Sequence, residues 1–570
     1  MARFRSNERG AKWGDALVTY LGWLKYSAGI AAAISLAIPA VSWAQAANSG
    51  EPVTIVAADP DEQGDGTMGP DARRAKSHGA LPIGPATKLG KDAADRAHAK
   101  ASQSGPEAPS GRLAPAVVGG LNFAGMSAIA ATSTTPPDNE GAIGTTRYIQ
   151  TLNSTGVRII NRTTHATIAS GRLNQLAKVA ATVESFDPQI IWDATANRFF
   201  YTMDSIFSAT DNRLSFGFSK SDSPGNVTTD WCHYAVKYNT PFPDYPKLGD
   251  SQHFIIIGVN VFANNSTGGY SGSDIVAIGK PAGTGTIITC PAPSSLKVRK
   301  KVDIRDSSNF QVFTPVPSNQ IDDNATGFVV AVNGALPSTN LWFFNVTKSA
   351  AGVPLFGNAR GLTVGSYNFP PNATQANGRL IDTSDARNTQ AVQAINPDRG
   401  ANVHSFWTQH TIANAAVSGV RWYEIDPAPA VPVQLRGGIV KTANVFNFNG
   451  AISPDRKKNG AAAAFGDSFV LQYNAASSVV SAEIRAVSSF NGAAVSGSVL
   501  VKAGVGPYAD FSCEFSGDIC RWGDYAAATP DPAPTIAGRG MVWSTNQFSG
   551  VVNPPVSDSN WRTRIFALQP

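Results

Sequence analysis

From about residue 116 onward the chain alternates short runs rich in β-branched and aromatic residues with clusters of Gly, Pro, Asn, Asp and Ser. Residues 198–203 (RFFYTM), 214–221 (LSFGFSKS), 253–262 (HFIIIGVNVF) and 328–333 (FVVAVN) show the pattern. So do 340–346 (NLWFFNV), 403–410 (VHSFWTQH), 421–426 (RWYEID), 469–473 (FVLQY) and 561–568 (WRTRIFAL). Each run has strand length and is bounded by turn formers, so each predicts a β-strand. Helical periodicity is scarce; 172–183 is the best amphipathic stretch. The region reads as all-β.

The runs also group, with starts near Gly141, Asp187, Asp244, Ser308, Asp385, Asn449 and Arg521. Seven groups over about 430 residues, roughly 60 each, suit four-stranded blades around a central channel: a seven-bladed β-propeller, with six or eight blades as alternatives. Radial closure removes the open edges that many short strands otherwise create. The last strand-like run, 561–568, is placed to pair with N-terminal strands and close the ring. A pair of β-sandwiches is the competing architecture, but it calls for a second linker, and none is visible.

Two segments precede this domain, which spans 116–570. Residues 1–46 read as a signal peptide. Arg3, Arg5, Arg9, Lys12 and Lys25 form a basic region, an apolar run follows over 28–41, and Ala44-Gln45-Ala46 fits small-residue cleavage. The run is shorter than the ~20 residues that span a bilayer and is interrupted by Pro39. Residues 47–115 are rich in Ala, Gly, Pro, Asp and Lys and nearly free of aromatics, the composition of a disordered linker. Within it, Asp59, Asp61 and Asp65-Gly66 lack the spacing and the bidentate Glu of a calcium loop.

The formal charge is +5, but residues 1–46 carry five Lys/Arg against Glu8 and Asp15, so +3 lies in the leader and +2 in the remainder. That balance excludes nucleic acid and an anionic membrane as main partners. An exported protein, periplasmic or extracellular, is expected to oxidise its four cysteines. The simplest of three pairings joins Cys513 to Cys520, close in sequence, and Cys232 to Cys290. No zinc spacing is present.

Several phrases recur together: Pro137-Asp138-Asn139-Glu140-Gly141, Phe186-Asp187-Pro188-Gln189, Asp244-Tyr245-Pro246-Lys247, Arg421-Trp422-Tyr423-Glu424 and Arg521-Trp522-Gly523-Asp524-Tyr525. As a set, over 136–568, they resemble exported bacterial β-propeller proteins of the sialidase-like type, many of unknown activity. The resemblance implies the propeller fold and leaves the function open, because propellers host many functions. The sialidase Asp-box is approached only by Ser221-Asp222-Ser223-Pro224-Gly225, with Trp231 too far along, and the Arg-Ile-Pro signature is absent.

Candidate chemistry centres on the Arg521 motif. Asp524 and Tyr525 beside an arginine have the groups for acid, nucleophile and anion clamp in a glycan site. The structural reading gives Arg521 a bracing role, wedges Trp522 between blades and has Asp524 cap backbone amides. Arg387, Arg421 and Arg521 fall in successive groups and, if they converged, would clamp a substrate carboxylate. Asp187, Asp193, Asp244 and Asp250, with Lys247, sit at predicted turns. A pair of these aspartates at glycosidase spacing would supply acid and nucleophile, and turn hydrogen bonding is the plainer role. No cofactor is expected; a structural calcium is compatible with such loops, although no ligand string marks one. His404 and His410 would share one face of a strand, too far apart for a local metal pair, and no hydrolase or metalloprotease motif is present. The expected function is an exported propeller that binds or scaffolds, with a glycan or surface polymer as partner. A glycoside hydrolase or polysaccharide lyase acting at the channel mouth is the alternative.

Overall fold

The structure is a computed structural model that describes residues 50–64, 91–96, 115–128, 135–153, 156–266, 268–322, 324–396, 403–455, 467–515, 517–533, 540–550 and 560–570. The expected signal peptide, 1–46, lies outside the described residues. The described chain is 57% strand and 4% helix, with the strands in mostly antiparallel sheets. Its largest helix after residue 115 is Leu173–Ala177, inside the stretch with helical periodicity.

Seven sheets of four or more strands follow one another in sequence, each laid out as a meander. Their first strands are Glu140–Ile143, Glu184–Asp193, Phe242–Asp250, Val312–Pro317, Asn388–Ile395, Phe446–Pro454 and Ala527–Pro530. Each of these strands neighbours the first strand of the next sheet, and Ala527–Pro530 returns to neighbour Glu140–Ile143. The last sheet is completed by Ala116–Ser127, which pairs antiparallel with Trp561–Gln569 and joins the two ends of the domain.

Apolar side chains fill every gap between adjacent sheets. Ile149, Trp192 and Phe199 pack between the first and second sheets, and Phe216, Phe218 and Ile257 between the second and third. Phe254 and Phe344 link the third to the fourth, Phe343 and Phe406 the fourth to the fifth, and Trp407, Trp422 and Phe469 the fifth to the sixth. Val470, Ile484 and Phe566 join the sixth to the seventh, while Tyr148, Trp543 and Ile565 join the seventh to the first. The strands are therefore apolar on both faces, which explains why they read as near-continuous hydrophobic runs. Each fully buried large side chain contributes about 1.5–3 kcal/mol. The spacing is tight: at Gly258 a Cβ would lie 1.9 Å from the Pro315 carbonyl oxygen of the next sheet.

Part of the expected linker is built into this framework. Ile55–Ala57 pairs with Trp231–Asn239 as a fifth, outer strand of the second sheet, and Glu51–Pro52 pairs with Val298–Lys301 of the third. The run Val53-Thr54-Ile55-Val56 supplies β-forming residues that the composition of 47–115 as a whole conceals. Residues 91–96 form a helical turn, whose Lys91 is buried and donates to Thr383 Oγ1 (3.1 Å) and the Ser384 carbonyl (2.6 Å). Asp95 accepts from the Asn372 backbone and side chain at 2.7 and 3.0 Å. Among the described residues no helix is long and apolar enough to cross a membrane. Disulfides join Cys232 to Cys290 and Cys513 to Cys520, the pairing expected from the sequence.

Candidate functional site

The innermost strands carry a repeated irregularity. Register shifts fall between Phe186 and Gln189, Asp244 and Lys247, Phe313 and Val316, and Phe448 and Ala451. Within each shift one non-glycine residue is left-handed: Asp187 (φ 51°), Tyr245 (57°), Thr314 (52°) or Asn449 (46°). Proline follows in the first three, removing a backbone donor where the ladder is already broken. Asp187-Pro188, expected to be a turn, is thus a bulge inside a strand. The αL conformation of Tyr245 and Thr314 is costly for such side chains and persists because the surrounding contacts fix it.

These bulges lie where one end of the ring gathers charged and phenolic groups. Arg521 donates to Asp524 at 2.6 Å and also approaches Asp382 at 3.4 Å, which Lys91 meets from the other side at the same distance. Arg387 makes a two-pronged contact with Asp385, both bonds 2.6 Å, and lies over the rings of Tyr245 and Phe313. Tyr525 donates to Asp187 at 3.0 Å and Tyr245 to the Asp524 carbonyl at 2.8 Å; their rings are 4.8 Å apart. Lys247 Nζ sits 3.5 Å from the Tyr525 ring centre and 4.2 Å from that of Tyr245. Asn153 ties the floor together: it donates to Asp138 (2.5 Å) and accepts from the Asp187 amide (2.6 Å).

Burial sets the protonation of this cluster. It raises Asp244 to about 7, reinforced by Asp187 and opposed by Arg387, and raises Glu140 to about 8. It lowers Lys247 to about 7, opposed by Glu140. Burial pushes both Tyr245 and Tyr525 well above the ordinary phenol range, so at neutral pH each is a hydrogen-bond donor rather than a phenolate. Burial also pushes Asp138, Asp187 and Asp204 upward, each raised further by a neighbouring aspartate.

The sequence-derived residues separate into groups. Arg387, Arg521, Asp187, Asp244, Lys247, Asp524 and Tyr525 come together at the mouth. Arg421 does not join them: its guanidinium donates to the carbonyls of Gly365 (2.5 Å) and Ser366 (3.0 Å), on an outer strand of the fourth sheet. Three arginines therefore do not converge, and the two that reach the mouth are paired with carboxylates of the protein. Asp193 and Asp250, both fully buried, lie at the far ends of their strands and share Lys280, with Asp250 at 2.6 Å. His410 is held by the Ala386 carbonyl and Tyr423, and His404 by Gln393. Of the mouth residues, Asp138, Glu140 and Asp204 were not singled out from the sequence. Asp204 had a legible signal: a lone carboxylate in the run RFFYTMDSIF.

A cavity of about 10 Å³, lined by Glu140, Gln189, Lys247, Asn319 and Thr389 among others, has room for roughly one water. Below it Asn319–Gln320 runs parallel to Asn388–Ile395, and both residues bond to Asp250 Oδ1, at 3.1 and 2.9 Å. A far larger opening lies at the rim. Between the outer strands of the fifth and sixth sheets a groove of about 800 Å³ is bordered by Trp422, Arg436, Ile439, Glu483, Arg485 and Ser498. Arg436 is anchored by Glu424 and Asp467, and Arg485 by Glu483 at 2.5 Å.

No protein-family model matches the chain, and no curated protein does. No sequence family therefore ties it to the sialidases. Solved structures resemble it at low identity. An apocarotenoid oxygenase mutant from Synechocystis shares 11% identity over 64% of this chain and 71% of its own, with a TM-score of 0.35. The WD40 domain of SCAP from fission yeast shares 9% over 74% and 79%, TM-score 0.28. A GH43 enzyme from Xanthomonas citri complexed with xylose shares 8% over 58% and 92%, TM-score 0.25. None of these scores reaches 0.5, and strand pairing alone carries the fold.

Proposed function

We propose that the chain is an exported seven-bladed β-propeller that works as a binding or scaffold module, with a glycan or another surface polymer held in the rim groove between the fifth and sixth blades. The observation that carries this reading is the contrast between the two openings. An axial cavity of about 10 Å³ admits no sugar, whereas the groove of about 800 Å³ matches the size of a ligand site. The mouth arginines are engaged with Asp385, Asp382 and Asp524, leaving no open anion clamp. The groove sets partly exposed apolar side chains, Ile439, Val480 and Val495, beside the partly exposed polar Ser496 and Ser498, a mixture suited to the faces and edges of a saccharide. The ring of seven sheets supports the blade count, and two disulfides support an oxidising compartment.

The test is a panel of acidic and neutral glycans offered to the purified protein. Binding without turnover, lost in Ala494→Trp, which fills the groove from its exposed edge, is the expected result. Turnover abolished by Asp524→Asn or Tyr525→Phe in folded protein, and indifferent to Ala494→Trp, would replace this reading with an enzyme acting at the mouth.

A further inference from the structure

The channel mouth holds a second arrangement, independent of the rim groove. Asp187 lies in the bulge of the second sheet's inner strand. Asp204 lies on the neighbouring strand Arg198–Ser208, opposite Phe186, and Asp244 is on the inner strand of the third sheet. One carboxylate oxygen from each comes within 4.8 Å of the other two. Clustering alone would mean little. The decisive observation is Asp204: its side chain is fully buried, and neither carboxylate oxygen has a hydrogen-bond partner. An apolar strand that buries a carboxylate normally supplies donors for it. Here the side chain is instead directed at two further carboxylates.

We infer that Asp187, Asp204 and Asp244 bind one oxygen-seeking divalent cation of calcium size, a structural ion that fastens the second blade to the third at the channel mouth. Calcium takes oxygen ligands at about 2.3–2.6 Å, so ligands around one ion stand at most about 5 Å apart, and three oxygens within 4.8 Å of one another meet that limit. Magnesium demands near-ideal octahedral geometry at about 2.0–2.1 Å and keeps several of its waters, so a buried all-carboxylate site suits it less. Asp187 oxygens already accept from Asn153 and Tyr525, at 3.3 and 3.0 Å, and each has a lone pair left for a metal. Those two donors fix the carboxylate's orientation, as outer-shell partners of a metal ligand do. The nearby cations are placed elsewhere: Arg387, which offsets Asp244, is bonded to Asp385, Arg521 is bonded to Asp524, and Lys247 sits over the Tyr245 and Tyr525 rings. The site also explains why the strained bulge at Asp187 is kept, since that bulge carries one of the three ligands.

The competing account is that the three carboxyl groups share protons, and it makes opposite predictions. The full chain, as exported, is stripped with chelator and titrated with Ca²⁺ and with Tb³⁺, whose emission nearby tyrosines sensitise; Tyr525 is bonded directly to Asp187. The expected result is one ion per chain and a melting midpoint a few degrees higher in Ca²⁺ than in chelator. Both Asp204→Asn and Asp244→Asn should weaken binding on the order of 100-fold, because affinity follows ligand charge. If Asp204→Asn does not fold, Asp244→Asn and the wild-type chelator comparison decide. The inference is overturned if no saturable ion binds, or if the midpoint is the same with and without Ca²⁺. It is overturned equally if both variants bind as the wild type does. Proton sharing predicts that Asp204→Asn melts higher than the wild type in chelator, with no response of either to Ca²⁺.

Discussion

Lys280 offers the sharpest test of how the far end of the axis is held. It leaves the third sheet after Tyr270–Gly279 and inserts its ammonium between Asp193 and Asp250, the last residues of two neighbouring inner strands. Both carboxylates are fully buried, and Asp250 also receives Asn319 and the Gln320 amide from the segment that plugs the channel. Burial raises Asp250 to about 6 even with Lys280 beside it. Lys280→Met keeps the apolar stem but leaves two buried carboxylates without their cation. Breaking a buried pair in this way costs about 3–5 kcal/mol, which in a domain of this size lowers the melting midpoint by on the order of 3–5 °C. The loss should depend on pH with a definite sign. In the variant the folded state holds a proton on Asp250 that the unfolded chain, with an ordinary aspartate value near 4, has released. The folded state therefore binds more protons, and stability falls as pH rises from about 4 through the raised folded value. Melting followed by tryptophan fluorescence from pH 5 to 8 measures this directly. A variant as stable as the wild type at pH 7, or one whose deficit does not grow with pH, would refute the account of Lys280 as the cation that neutralises this pair.

Ring closure can be tested at Asp531, which accepts two bonds from Arg162 of the first sheet (2.9 and 2.8 Å) and one from Trp543 (2.9 Å). Asp531→Ala strands a buried guanidinium and should cost about 3–5 kcal/mol in chemical denaturation, whereas loss of a simple turn residue would cost far less. The buried imidazoles should make the protein acid-labile. Burial depresses His410 to about 3 and His233 to about 4, so the unfolded state takes up protons first, and stability declines as pH falls from about 6.5 toward 4. His410→Gln should shallow that decline in a melting-versus-pH series. Replacing both cysteines of a disulfide by serine should cost about 4 kcal/mol for Cys232–Cys290 and about 2.5 kcal/mol for Cys513–Cys520, following loop length, with sequence separations of 58 and 7. Equal losses in denaturation midpoints would count against the loop-entropy account.

The strands were legible because a strand packed between two sheets is apolar on both faces, and 254–262 or 340–346 can be little else. The group starts at Asp187, Asp244 and Asn449 all fall inside the innermost strands, since the bulge that opens each group carries turn-type residues. That same chemistry misled at Asp187-Pro188: a proline after an αL residue looks identical in a turn and in a bulge. The N-terminal strands at 51–57 were missed because composition averaged over a long segment hides four β-forming residues. For the site, residue type was legible and convergence was not. Arg387 and Arg421 occupy the same sheet, yet one faces the axis and the other an outer strand of the neighbouring sheet. Asp204 acquires meaning only once the second and third sheets are neighbours.

The pairing of Ala116–Ser127 with Trp561–Gln569 has a consequence for biogenesis. The first strand of the domain to be synthesised has no partner until the last strand has been made. Ile55–Ala57 and Glu51–Pro52 wait in the same way for Trp231–Asn239 and Val298–Lys301. A chain emerging N-terminus first cannot close its ring early. Closure then becomes the final event of folding.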